Sequence, residues 1–327
     1  MPASTPIAMN KNALGKAVAF LACVSPDSQL RLLIELALAV SVRLNPGQDV
    51  TVDPISNMAQ GNSRDSVEKG FYALLDFILA DGELSAEERQ RYVSLMNKIG
   101  QKRRSPRRGV PFEVVMSSTL EKLEQGQNLD KSAKKQLANF IGISAVKQEL
   151  KQLRVIDGLQ ISDDTLAKML AFFACVPSEG SLRLLLQFAA AITVRASTSK
   201  GIGRISGFRT VEQLRCLSNE ELDTYIQRFN SLSADCDRIE ASFDILLDLV
   251  AADGWLSTDE ATQLQAFINQ VVQDEAMQNE LCALVNDVGR IDDVEAVRQT
   301  MKSTLQKVNF FDRANQDLQG LTWVAWL

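Results

Sequence analysis

The sequence predicts an all-α protein made of two tandem-duplicated helical bundles, and three observations carry that prediction. Leu and Ala dominate a hydrophobic content of 46% while aromatics make up only 6%, a balance that favours helix over sheet. No segment of useful length alternates apolar and polar residues, the period that a half-buried strand needs. The third observation is internal repetition. Leu166–Val176 matches Leu14–Val24 and Leu182–Arg195 matches Leu30–Arg43, at one constant offset, with about half of some 31 positions identical.

A second repeat lies further along each copy. Leu74-Leu75-Asp76 followed by Ala80-Asp81-Gly82-Glu83-Leu84-Ser85-Ala86-Glu87-Glu88 returns as Leu246-Leu247-Asp248 followed by Ala252-Asp253-Gly254-Trp255-Leu256-Ser257-Thr258-Asp259-Glu260. Each reads as an apolar helix, a break at Asp-Gly, and a new helix opened by Ser with Glu three residues on. In such a capping box the Ser hydroxyl accepts a backbone N–H and the Glu carboxylate reaches back to the Ser N–H. The offset here is larger by about 20 residues, so the second copy carries an insertion, placed near 197–235. Two domains are therefore expected, over residues 1–155 and 156–327, parted near Asp157-Gly158.

Taken in order, Met1–Asn12 is polar with two prolines, the composition of a fraying end. Helix runs from Ala13 to Val24, and Ser25-Pro26-Asp27 breaks it, with Ser25 as a cap and Pro26 at a first helical position. Leu30–Arg43 is apolar enough to be buried on most of its circumference. After a polar loop over 45–64, helix resumes near Asp65 and passes through the first hairpin to about Ile99. Pro111 opens a helix to about Glu124, and Leu129–Leu153 is helical with an interruption at Gly142-Ile143-Ser144. The insertion holds Gly201-Ile202-Gly203-Arg204 and a capped segment, Ser218-Asn219-Glu220-Glu221. Helices then follow from Ala234, Ser257, about Gln273 and Ile291, and the tail ends Trp323-Val324-Ala325-Trp326-Leu327.

Composition excludes several function classes. Histidine is absent, which removes Ser-His and Cys-His nucleophile pairs, imidazole-bearing zinc sites and the facial triad of non-haem iron. Catalysis would fall to carboxylates, Lys, Tyr or Cys, so the chain is read as a non-enzyme. Five cysteines (Cys23, Cys175, Cys216, Cys236, Cys282) without a C-x-x-C pair fit a reducing compartment. The N-terminus lacks a signal-peptide layout. The longest apolar runs, Leu30–Leu44 and Leu182–Ala196, are interrupted by Arg and shorter than the roughly 20 residues a membrane span needs. A cytoplasmic protein with no transmembrane segment is expected. The net charge of −6 splits unevenly, near +5 over residues 1–155 and near −11 over the rest.

The duplicated hairpin pattern, Leu-Leu-Asp-x3-Ala-Asp-Gly-x-Leu-Ser-x2-Glu, resembles the tellurite-resistance TerB family and related segments beside membrane-anchored DnaJ-type co-chaperones. The resemblance covers both hairpins and, more loosely, the apolar helices before them. It implies a compact all-α domain with an acidic surface patch, linked to metal-ion stress and phage resistance and acting through partners. Carried over, the matching acids are Asp76, Asp81 and Glu88, with Asp248, Asp253 and Glu260. Carboxylates of this kind can share a hard divalent cation, Ca²⁺ or Mg²⁺. The same residues also read as plain architecture: Glu88 and Glu260 complete capping boxes, and Gly82 and Gly254 supply left-handed turns.

Other features carry two readings each. Cys23 and Cys175 share a repeat position within apolar helices and are expected as buried small residues. Arg31/Arg183 and Arg43/Arg195 repeat on apolar helices, where each buries its stem with the guanidinium at a rim or pairs with Asp76 or Asp248. The basic loop Lys102, Arg103, Arg104, Arg107, Arg108 is a solvated loop or a phosphate site for nucleic acid or an anionic membrane. Trp323, Trp326 and Leu327 either pack on their own domain or hook a neighbour's groove. The function expected is a non-enzymatic adaptor or assembly module of stress-response or phage-defence type. The competing class is a self-assembling structural protein that docks basic half on acidic half.

Overall fold

The computed structural model describes residues 7–9, 13–24, 28–41, 66–78, 83–102, 112–141, 143, 146–148, 163–177, 179–192, 220, 224, 238–252, 255–256, 258–285, 289–290, 294–321 and 324–326. These are mostly helical, as the composition predicts. The first half contributes α1 (Ala13–Cys23), α2 (Gln29–Ala39), α3 (Ser66–Ile78), α4 (Ala86–Lys102), α5 (Phe112–Glu124) and α6 (Lys131–Ile141). The second contributes α7 (Asp163–Cys175), α8 (Ser181–Ala191), α9 (Arg238–Ala252), α10 (Thr258–Val271), α11 (Glu275–Val285), α12 (Val294–Lys307) and α13 (Phe310–Gln319). No described helix is long and apolar enough to cross a membrane.

The packing is reciprocal. Helix α1 lies against α9 and α8 of the second half, while α7 lies against α3 and α2 of the first. Within each half, α2 packs on α4 and α8 on α10. One apolar cluster therefore runs through both halves, from Leu14 and Phe20 through Leu36, Phe71 and Phe172 to Phe310 and Leu321. Such burial is the main driving force of the fold, about 1.5–3 kcal/mol for each large apolar side chain. In the second half Phe188, Phe243, Phe267, Phe310 and Phe311 form a ring cluster with centroids 5.0–6.3 Å apart. At the crossing of α3 and α7, a Cβ on Gly70 would come within 3.0 Å of the Ala167 Cα, so this close approach needs glycine.

Two short strand pairs lie outside the helices. Strand β1 (Ile7–Met9) runs parallel to β4 (Val324–Trp326), and β2 (Trp255–Leu256) runs antiparallel to β3 (Gly289–Arg290). The first pair changes two expectations. Ile7–Met9 is ordered against the tail rather than frayed, and the tail pairs with the chain's opening residues rather than with the second half alone. Ladder hydrogen bonds from the backbone make that docking possible without any helical signal.

Further local differences have simple causes. The cap of α2 is Ser28, whose hydroxyl accepts from the Arg31 N–H at 3.0 Å, so the helix opens later than Ser25-Pro26 suggested. The segment read from Ile291 starts as helix at Val294 and breaks at Asn309, which takes a left-handed φ of 53° between α12 and α13. Asn is among the few residues that adopt this conformation readily. Ser25, Pro26, the Asp-Gly pairs at 81–82 and 253–254, the turn at Asp157-Gly158, and Gly201-Ile202-Gly203 lie outside the described residues.

Candidate functional site

Two buried arginines organise the centre of the molecule. Arg31 is 1% exposed and Arg183 is 0% exposed, each in the first turn of a helix whose other faces are apolar. The Arg31 guanidinium donates from Nη1 to the carbonyls of Leu21 and Val24, at the end of α1, and from Nη2 to Ile192 at 3.1 Å. Arg183 repeats the set: Nη1 donates to Phe173 at 3.2 Å and Val176 at 3.4 Å, and Nη2 to Val40 at 3.3 Å. Val40 and Ile192 are the C-caps of α2 and α8. Each cation thus gathers the orphan carbonyls of two helix C-termini, one from its own half and one from the other, where the helix dipole favours positive charge. The start of α2 meets the end of α8 and the reverse, so these two helices run antiparallel. The arginines are therefore fully buried, not rim-placed, and these hydrogen bonds go to backbone carbonyls, while Asp76 pairs with Lys134 and Asp248 with Arg298.

A cleft of about 120 Å³ opens over the α2–α8 pair. Its apolar lining is Leu38, Ala190 and Ala191; Glu35, Glu87 and Arg91 line one side, with Gln187 and Gln263 opposite. Glu35 bridges two cations, with Oε1 3.5 Å from Arg31 Nε and Oε2 3.6 Å from Arg91 Nη1. Sequence repetition places Gln187 where the first half has Glu35, Gln263 where it has Arg91, and Ala190 where it has Leu38. Burial lowers the Arg183 pKa to about 10, against the opposing pull of Glu87 and Glu88. It is therefore cationic at neutral pH.

The first capping box is present and extended. Glu88 is 1% exposed; its Oε2 accepts the Ser85 N–H at 2.8 Å while the Glu88 N–H donates to Ser85 Oγ at 3.2 Å. Its other oxygen accepts the Ser41 N–H at 2.9 Å, tying the end of α2 to the start of α4. That contact, from a residue 47 positions away, is invisible to local pattern reading.

The acids expected to hold a cation are dispersed among other partners. Asp76 pairs with Lys134 of α6, and Asp248 pairs with Arg298 of α12 at 2.6 Å. Among the described residues no group of three or more potential metal ligands converges. Asp81 and Asp253 lie outside the described residues, as does the Glu260 side chain on α10. The Asp248 pair belongs to a ladder that sequence reading missed. Glu240, Asp244 and Asp248 line one face of α9 at helical spacing, opposite Gln306, Lys302 and Arg298 of α12. The matching i, i+4, i+8 spacings were the available signal.

Of the basic loop, Lys102 ends α4 with its side chain outside the described residues, and Arg103, Arg104, Arg107 and Arg108 lie outside them too. Arg43 and Arg195 likewise lie outside. In the tail, Trp326 stands opposite Met9 in the β1–β4 register, while Trp323 and Leu327 lie outside. Cys175 is buried as expected, and burial pushes its thiol up to about 12. No protein-family model, curated protein or solved structure matches the chain.

Proposed function

We propose that the protein is a non-enzymatic adaptor whose two TerB-like repeats form one interlocked platform, in a stress-response or phage-defence setting. The observation that carries this reading is the reciprocal arginine lock. It joins helix ends of both halves beneath a polar cleft and holds the cleft walls, α4 and α10, on a shared base. The strongly shifted groups Tyr92, Cys175 and Arg183 sit in the packed interior. That placement serves packing, whereas catalysis needs such groups at a substrate cleft. Asp76, Asp248 and Glu88 spend their carboxylates on Lys134, Arg298 and backbone N–H groups, so a divalent cation has no part in the proposal. Self-assembly through the tail would first have to detach β4 from β1.

Native mass spectrometry of the full chain isolated at low salt tests the reading, with Glu87→Ala/Gln263→Ala measured beside it. A stoichiometric companion, either another protein or a second copy, is expected with the wild type and lost from the variant. A chain that is monomeric and alone in both preparations rejects the adaptor.

A further inference from the structure

We propose that α4 and the arginine lock open as one unit, coupled through the Val40–Ser41 peptide, so that moving this cleft wall loosens the junction between the halves. This goes beyond the adaptor reading and stands whether or not that reading holds. The two ends of one peptide group carry the coupling. Its carbonyl, on Val40, accepts from Arg183 Nη2 at 3.3 Å, and its N–H, on Ser41, donates to Glu88 Oε1 at 2.9 Å. Arg183 belongs to α8 of the second half and Glu88 to α4 of the first, and both are buried. Cation, peptide dipole and carboxylate thus stand in series, where each hydrogen bond polarises the next. The second Glu88 oxygen takes the Ser85 N–H at 2.8 Å, which ties the series to the very start of α4.

A second chain of charges leaves the same helix at the neighbouring i, i+3 position. Arg91 Nη1 lies 3.6 Å from Glu35 Oε2, and Glu35 Oε1 lies 3.5 Å from Arg31 Nε. Helix α4 therefore reaches both arginines of the lock, Arg183 through Glu88 and Arg31 through Arg91. The repeat puts Gln263 where α4 has Arg91 and Gln187 where α2 has Glu35, so the matching path from α10 toward Arg183 carries no charge. That asymmetry makes α4 the wall whose movement the lock feels. Glu35, Glu87 and Arg91 line the cleft, so a contact made there bears on the same turns of α4 that hold the lock. Once Glu88 leaves Ser41, the peptide is free to turn away from Arg183, and buried groups left without partners oppose any half-open state. By linkage the effect runs both ways, and a loosened lock frees the start of α4 to the same degree.

Hydrogen exchange of single amides, followed by NMR on the full chain under native conditions, tests the coupling. Rates are taken relative to the buried Leu305 amide of α12, so that global destabilisation cancels. Arg183→Met is expected to speed exchange of the Ser85 and Glu88 amides about tenfold or more, although these donate to each other's side chains. Glu88→Gln is expected to speed the Val176 amide, in the second half, by a similar factor; Val176 donates to the same Phe173 carbonyl that Arg183 holds. Ser85 is exposed, so Ser85→Ala keeps the fold and moves Val176 in the same direction, which covers a Glu88→Gln that does not fold. Gln263→Ala, on the α10 wall, leaves all three ratios at their wild-type values. Far amides that keep their wild-type ratios in any folded variant of Arg183, Glu88 or Ser85 overturn the proposal, and so does a Gln263→Ala that matches Glu88→Gln.

Discussion

Arg31 and Arg183 set the energetics of the centre, because each is a fully buried charge whose cost is offset by several carbonyl acceptors and two helix dipoles. Removing Arg31 takes the guanidinium donor from the Val24 and Ile192 carbonyls, leaves Leu21 with only the Val24 N–H, and opens a space among packed helices. Arg31→Ala is expected to cost about 3–5 kcal/mol in urea unfolding, since each orphaned acceptor alone costs roughly 1–3. Arg31→Lys recovers little of this, as a compact ammonium cannot span acceptors that a planar guanidinium reaches in two directions. A loss below about 1 kcal/mol would show the carbonyls satisfied by other means. That these arginines form a pair was legible from their shared place on apolar helices. Their destination was not, because Ile192 lies 161 residues from Arg31 and the other acceptors are backbone atoms with no residue-type signature.

At the scale of helices, the two halves solve the same end problem differently. Ser28 caps α2 with its own hydroxyl, whereas the matching residue before α8 is Gly180. Asp317 of α13 supplies the missing acceptor, taking the Leu182 N–H at 3.0 Å, and a Cβ on Gly180 would meet that carboxylate at 2.7 Å. Asp317→Ala should therefore cost about 1 kcal/mol, the worth of a cap. Gly180→Ser alone should also destabilise, by crowding Asp317, yet in the Asp317→Ala background it should restore stability. The sign reversal in a double-mutant cycle by chemical denaturation checks it, and additive losses would contradict it. Capping that spans three positions, as in Ser85–Glu88, was readable in the sequence because both partners are local. The Asp317 cap and the α9–α12 ladder were not, because their partners are set by which helices the fold brings together.

For the molecule as a whole, proton binding follows burial. Cys175 is pushed up to about 12 by burial, and Tyr92 is raised by burial against the opposing Thr119 hydrogen bond. At Lys302 burial pulls down, but Asp244 and Glu240 outweigh it and raise the value. A group whose value is raised on folding gives stability that is whole below its unfolded pKa and is lost as pH rises through the folded one. Stability should thus hold to about pH 9 and decline toward about pH 12. Arg183, lowered to about 10, acts in the opposite sense above that pH and softens the decline. Urea midpoints measured across the alkaline range check this, and a level profile would contradict it. The helical class was legible from composition and repetition, since both are properties of single segments. The crossing of α1 onto α9 and α7 onto α3 was not, because a repeat reads the same whether its helices pack on their own copy or on the other. That crossing bears on how the chain is made. Emerging from the ribosome at roughly 5–20 residues per second, α1 waits on the order of ten seconds or more before α9 exists. Until α8 and then α9 emerge, its apolar face lacks these native partners, so the nascent first half is the species that most needs a chaperone's shelter.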